Sequence, residues 1–370
     1  MPEQSRKVRY AVVGLGWIAQ ECVLPAFANT PNCELAALVT GDPEKAREIG
    51  SRYGVRRTAS YDDYEKLVRS GDIDAVFIAL PNHLHKDFTI AAVRAGVHAL
   101  CEKPMAANAA ECEEMIRAAE QGGAKIMIGY RLHFEPANLK AISLVASGRI
   151  GEPRVFTSVF CQQVQQGNIR VRKDAAGGPL PDMGVYQINA ARYLFREEPV
   201  EVSATGLDRG DPRFDGVHEA VSAIMRFPGE RVANFTCSFG AASSDSSYLV
   251  GAEGWLRLSP GFDFGQQKRL ALSIGGSFEE EAFPRCNEFG GELAYFADCI
   301  LNNTDPEPDG REGLADVRIV DAMLESIRTQ KPVALAPFEK KTRPDESMKR
   351  ELPPVPFAKL FRAAKPGGGS

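Results

Sequence analysis

Apolar residues in the first 130 positions fall into short unbroken runs, each closed by Gly, Pro or Asn. The runs are Val8-Arg9-Tyr10-Ala11-Val12-Val13, Glu34-Leu35-Ala36-Ala37-Leu38-Val39, Asp74-Ala75-Val76-Phe77-Ile78-Ala79-Leu80, Val97-His98-Ala99-Leu100-Cys101 and Lys125-Ile126-Met127-Ile128-Gly129. A run without alternation is the mark of a strand buried on both faces. Segments 43–53, 61–70 and 108–122, and the stretch running to Gly96, carry helical spacing between the runs. Strands alternating with helices at this pitch predict a parallel, doubly wound α/β sheet. Helix 135–147 leads out of it. From Glu152 the pattern becomes β-rich, with runs at 154–160, 200–206, 217–227, 231–239, 247–251 and 255–258 and turn signals such as Phe227-Pro228-Gly229-Glu230. Hairpin-linked antiparallel strands are expected there. Helical faces return at Asn287–Asn302 and Gly313–Thr329. The last stretch, rich in Pro, Lys and Arg, reads as an extended tail suited to wrapping a subunit. The expected division is 1–130, 131–338 and 339–370.

The first run ends in Gly14-Leu15-Gly16-Trp17-Ile18-Ala19, a G-x-G-x-x-A at a strand–helix junction. Gly14 permits the tight turn, Gly16 lets the backbone approach a pyrophosphate, and Ala19 allows close packing. A plain glycine turn is the alternative. After the second run an NAD-preferring site would carry an acid for the ribose hydroxyls. Here Thr40-Gly41-Asp42-Pro43-Glu44-Lys45 follows, where Thr40 can bind a phosphate and Lys45 can neutralise one. That favours NADP, with Asp42-Pro43 also fit to start the next helix.

Polar side chains recur at the carboxyl ends of later strands, where open α/β sheets bind ligands. Pro81, Asn82 and His85 follow the third run, although a lone His85 is as readily a cap or a packed side chain. Glu102-Lys103-Pro104 follows the fourth. An ammonium at the end of a buried strand needs an anion or a substrate oxygen beside it, unless it is one half of a solvated Glu–Lys pair. Farther along, Gly177-Gly178-Pro179 and Pro181 break the chain, and Asp182 reads as a helix N-cap. Asp182 and Tyr186 are spaced i, i+4 on one helix face, with Asn189 a turn further on. The alternative is a capping Asp with a core Tyr.

Composition narrows the classes. With 44% hydrophobic and 25% charged residues and a net charge of −5, the 370-residue chain is ordinary globular protein. No basic stripe points to nucleic acid, and no apolar run is long enough for a membrane span. The polar start, Met1 to Arg9, is no secretory signal, and the eight scattered cysteines read as reduced thiols. A cytoplasmic protein without a metal site is expected.

These motifs together resemble the Gfo/Idh/MocA family of NAD(P)-dependent oxidoreductases. The resemblance rests on Gly14–Ala19, Pro81-Asn82-His83-Leu84-His85, Glu102-Lys103-Pro104 and Gly129-Tyr130-Arg131-Leu132-His133-Phe134. Residues 177–195 and the segment Leu38–Lys45 are most similar to its glucose–fructose and aldose–aldose oxidoreductase subgroup. The resemblance implies an N-terminal Rossmann domain, a C-terminal α/β domain with an open, mostly antiparallel sheet, and a homodimer or homotetramer built on that sheet's free face. It also implies a sugar substrate between sheet and nicotinamide, and a packing of helix 313–329 on the nucleotide domain.

By the same resemblance Lys103 contacts cofactor and substrate, Tyr186 is the acid/base, Asp182 orients, and Arg131 and Arg170 are secondary contacts. Many members carry His where Tyr186 stands. A phenol ordinarily titrates near ~10, so a Tyr base needs a cation, and Lys103 is the candidate. Ala176 replaces the first Gly of a common triple-Gly run. An NADP-dependent sugar oxidoreductase is the expectation, and a non-catalytic NAD(P)- or sugar-sensing regulator of the same fold is its rival.

Overall fold

A computed structural model describes residues 6–367. Two compact units appear, and they are interleaved along the chain. The first joins the described residues up to Arg131 with Cys286–Leu314 and the segment from Arg350 onward; the second holds Leu132–Arg285 and Ala315–Lys349.

The first unit is built on six strands: β1 (Val8–Val13), β2 (Cys33–Val39), β3 (Arg57–Ala59), β4 (Ala75–Ile78), β5 (His98–Glu102) and β6 (Ile126–Gly129). Their order is β3-β2-β1-β4-β5-β6 and every pair is parallel. The order reverses direction between β1 and β4, the place where doubly wound sheets leave a crevice at the strand ends. The unbroken apolar runs are explained by burial, for all of Ala75–Ile78 is inaccessible. Helix Pro43–Tyr53 starts on Asp42, whose carboxylate accepts from the Glu44 and Lys45 amides at 3.0 and 3.1 Å. Helix Ala109–Gly122 starts on Asn108 in the same way.

The sequence reading assigned helix 287–302 to the second domain, whereas Glu288–Leu301 packs in the first unit. Its apolar face, with Leu293, Phe296 and Ala297, is buried, and its Leu293 carbonyl accepts from the Tyr10 hydroxyl at 3.1 Å. Helix Gly310–Thr329 gives its first turn to the first unit, where Gly310 and Gly313 lie against Met105. Ile319, Val320 and Met323 belong to the second unit's core.

That second unit carries a nine-stranded sheet ordered β14-β13-β12-β11-β7-β10-β9-β8-β15. The strands are β7 (Pro153–Cys161), β8 (Glu201–Leu207), β9 (Ala220–Phe227), β10 (Arg231–Ser238), β11 (Ser244–Gly251), β12 (Gly254–Ser259), β13 (Lys268–Ile274), β14 (Ser277–Phe283) and β15 (Val333–Ala334). Pairing is antiparallel except between β7 and β10. Side chains alternate: Phe156, Ser158 and Phe160 point to the core, while Val155 and Val159 stay exposed. Strands β13 and β14 escaped the sequence reading. β14 is exposed almost throughout and carries Glu279-Glu280-Glu281, the charged face by which an edge strand avoids further pairing.

Candidate functional site

The nucleotide end of the first unit is a backbone construction. Gly14 donates its amide to the Val39 carbonyl at 2.9 Å and adopts φ +89°. A Cβ there would lie 2.5 Å from the Ala79 carbonyl oxygen, so only glycine fits. Gly16 differs: an added Cβ meets nothing within 4 Å, and the residue faces open space at the start of a helix. That clearance, with Trp17 and Ile18 half-buried beside it, fits a dinucleotide's pyrophosphate. The helix opens on a π turn, Ala19–Val23.

At the end of β2, Thr40 is buried and its hydroxyl accepts from the Asp42 amide at 3.3 Å. Gly41 is exposed, with the Tyr61 ring 3.2 Å from where its Cβ would be. Asp42 does cap the next helix, which is why it can stand here without serving ribose hydroxyls. Lys45 is half-buried, and burial pulls its pKa down.

Pro81 and Asn82 form a short turn after β4, both half-exposed. His85 does not face a ligand. Its ring is buried, with Nδ1 2.8 Å from the Pro104 carbonyl and Nε2 2.9 Å from the Leu80 carbonyl. Burial lowers its pKa. The packing alternative describes the His85 ring, which ties the turn after β4 to the proline that follows Lys103.

Glu102 ends β5, and Lys103 is half-buried just beyond it. Behind them lies an acidic cluster that no local pattern announced. Arg131, expected as a cofactor contact, is buried in an ion pair with Glu288, both side chains about 5% exposed or less. Glu292 is buried completely and neither of its oxygens has a hydrogen-bond partner. Burial raises its pKa far above the carboxylate range; Glu102 and Glu288 add to this and Arg131 opposes it.

In the second unit the loop before Tyr186 folds back tightly. Gly177 and Gly178 donate to the Arg172 and Arg170 carbonyls at 3.0 and 2.8 Å, and a Cβ on Gly177 would sit 2.4 Å from the Arg170 carbonyl oxygen. Ala176 takes the left-handed conformation, φ +54°, that the missing glycine would have taken freely. The fold-back delivers Arg170 to Asp182, Nε to Oδ2 at 2.9 Å. Arg170 is thus an ion-pair partner of the candidate acid.

Asp182 is not the N-cap the pattern suggested. It lies inside a π turn, Leu180–Gly184, that continues into helix Val185–Phe195. Such turns widen the helix locally and recur at functional sites. Tyr186 is half-buried and packs edge-on against Phe160, centroids 6.0 Å apart; Phe160 in turn meets Phe262 at 5.5 Å. Phe262 lies in the 259–268 loop, which Asp245 pins by accepting from the Gly261, Phe262 and Asp263 amides at 3.0, 2.9 and 2.6 Å. Asp245 and Phe262 went unnoticed in the sequence because their meeting spans two strands. Asn189 belongs elsewhere: it accepts from His133 Nε2 at 2.8 Å and donates to Asp316 at 2.9 Å, in a buried network with Arg192.

A family model described as an oxidoreductase family with an NAD-binding Rossmann fold matches residues 8–130. A second, for the GFO/IDH/MocA C-terminal domain, matches residues 138–257. The chain belongs to the Gfo/Idh/MocA family. It is 31% identical over 335 residues to a D-xylose 1-dehydrogenase [NADP(+)] of Haloarcula marismortui, covering 89% of this chain and 93% of that one. The crystal structure of an aldose-aldose oxidoreductase from Caulobacter crescentus, complexed with glycerol, superposes with a TM-score of 0.86 at 36% identity, covering 89% of this chain and all of the other. KijD10, a 3-ketoreductase from Actinomadura kijaniata in complex with NADP and TDP-benzene, gives 0.80 at 26% identity, covering 87% and 98%. The Rossmann domain and mostly antiparallel second sheet expected of a Gfo/Idh/MocA protein are both present. Among the described residues no helix is long and apolar enough to cross a membrane.

Proposed function

We propose that this chain is an NADP-dependent sugar oxidoreductase acting on a CH–OH group of an aldose or a related polyol or ketose. The observation that carries the reading is kinship over 335 residues to a D-xylose 1-dehydrogenase [NADP(+)], joined to a glycine loop with room for a pyrophosphate. Gly14, Gly16, Trp17 and Ile18 hold the pyrophosphate end. Thr40, Gly41 and Lys45 hold the adenosine end, and Pro81, Asn82 and Glu102 line the way toward the nicotinamide. When bound, NADP supplies the hydride acceptor for oxidation and the donor for reduction.

The chain's own side chains manage the proton. Tyr186 takes it from the sugar hydroxyl oxygen in oxidation and returns it in reduction. Lys103 polarises the hydroxyl oxygen of the sugar. Asp182, fixed by Arg170, orients the sugar through its hydroxyls. The outward face of the second sheet, with Val155, Val159 and Ile224 exposed, pairs copies of the chain.

The test is turnover on a panel of aldoses, followed by the absorbance of reduced nicotinamide. Tyr186→Phe and Lys103→Met should each lower kcat by about a hundredfold to ten-thousandfold while NADP still binds. Unchanged turnover in both variants rules the mechanism out.

A further inference from the structure

The C-terminal segment does not leave the molecule as a free tail. From residue 352 to residue 365 it runs along the first unit through contacts with residues far from it in sequence. The Leu352 carbonyl accepts from the Asn287 amide at 3.0 Å, the Pro353 carbonyl from Asn29 at 2.7 Å, and the Lys359 carbonyl from Arg52 at 2.6 Å. The strongest anchor is Gln20, 1% exposed. Its amide reads the backbone of Phe361 twice, accepting from the nitrogen at 2.7 Å and donating to the carbonyl at 3.0 Å. The same Nε2 donates to the Leu15 carbonyl at 2.8 Å, inside the glycine loop.

The neighbouring side chain repeats the arrangement. Glu21, with a side chain 4% exposed, accepts from the Trp17 indole nitrogen and holds Lys365 Nζ at 2.6 Å. Two adjacent side chains thus tie the loop that would cradle a pyrophosphate to the C-terminal segment. Buried side chains satisfied in this way hold their partners in one geometry.

Between these anchors Arg362 takes φ +51° and turns onto the strand-end turn after β2. Its Nε lies 3.3 Å from Asp42 Oδ2, and its Nη1 lies 2.5 Å from Glu44 Oε2. The turn therefore carries an acid of the kind that would select ribose hydroxyls, with a guanidinium set against it. Lys45 feels the same cation: burial lowers its pKa, Asp42 opposes this, and Arg362 adds to it. Two cations beside one another on a half-exposed turn are relieved by a dianion. A cavity of about 450 Å3 borders this turn, lined by Thr40, Gly41, Arg47, Arg56, Ser60 and Asp63, while Asp42, Lys45 and Arg362 stand outside its lining.

We propose that Arg362, delivered by the C-terminal segment, is a specificity residue of the dinucleotide site. It offsets Asp42 and Glu44 and, with Lys45 and Thr40, receives the phosphate monoester on the adenosine ribose, so that the segment selects NADP over NAD. The inference rests on the NADP reading above and names a residue outside the Rossmann motif as its determinant.

Calorimetric titration of the full chain with NADP, NAD and the fragment 2′,5′-ADP tests it. Losing a charge-assisted phosphate contact should weaken NADP and 2′,5′-ADP about tenfold in Arg362→Ala and about a hundredfold in Arg362→Glu. NAD binding should stay within about twofold, and Arg362→Lys should restore part of the loss. Asp42→Asn keeps a helix cap while removing the charge, so in that background Arg362→Ala should cost less. An NADP-to-NAD ratio unchanged across the Arg362 series, with wild-type chain binding NADP, overturns the proposal and spares the cofactor reading. A wild-type chain that binds neither NADP nor 2′,5′-ADP overturns both.

Discussion

The two sheets of this chain solve opposite problems. Strands β1, β4 and β5 are buried on both faces, so their side chains serve packing and the ligand chemistry is left to backbone at the strand ends. There Gly14 and Gly16 act through what they lack. The nine-stranded sheet is buried on one face only, with every second side chain free for other use. The groups proposed to act there are side chains: Asp182 and Tyr186 on a helical segment that packs on the inner face, and exposed Val155, Val159 and Ile224 on the outer. A backbone site tolerates almost no added atom, whereas a side-chain site fails by losing a functional group.

The largest effect is therefore expected at Gly14. Gly14→Ala combines a left-handed backbone with a Cβ 2.5 Å from the Ala79 oxygen, and should cost at least about 3 kcal/mol of stability, read by urea denaturation. A small loss there would show that the loop relaxes freely and tolerates an added atom. A middle-sized effect is expected on the outer face of the second sheet. Ile224→Asp should shift the chain to monomers in analytical ultracentrifugation while leaving its melting temperature within a few degrees, because the residue is 49% exposed. An unchanged sedimentation coefficient would place subunit pairing elsewhere.

The smallest effect concerns Glu292. Its folded pKa lies above the ordinary value of 4.5, so the folded state holds a proton that the unfolded state releases above that pH. Its contribution is fully present below about pH 4.5 and is lost as pH rises toward the folded pKa. Glu292→Gln, which keeps the shape of the neutral acid, should flatten the stability profile above pH 4.5. A profile identical to wild type would mean that the carboxyl is not held neutral.

Much of the candidate site was legible because its signals are local. A glycine loop between a strand and a helix, a Lys at a strand end, and an acid and a phenol one turn apart are all read within a few residues. Other polar positions find partners that no local pattern announces. His85 and Arg131 are polar residues in motif positions, and their partners are the Pro104 and Leu80 carbonyls and the Glu288 carboxylate. No spacing rule reaches across such separations. Asp182 was mistaken for a cap because a π turn cannot be told from an α turn by pattern alone.

Short-range chemistry settled the strand and helix alternation, the dinucleotide loop and the change to a one-faced sheet after Glu152, since each depends on periodicity and on what glycine and proline allow. Folding at long range settled which polar groups were spent on structure and which stayed available. It also carried Cys286–Leu314 back to the first unit and laid Arg362 beside Asp42. Those outcomes depend on which buried donors find acceptors once the chain has collapsed, and a residue's sequence neighbours do not encode that.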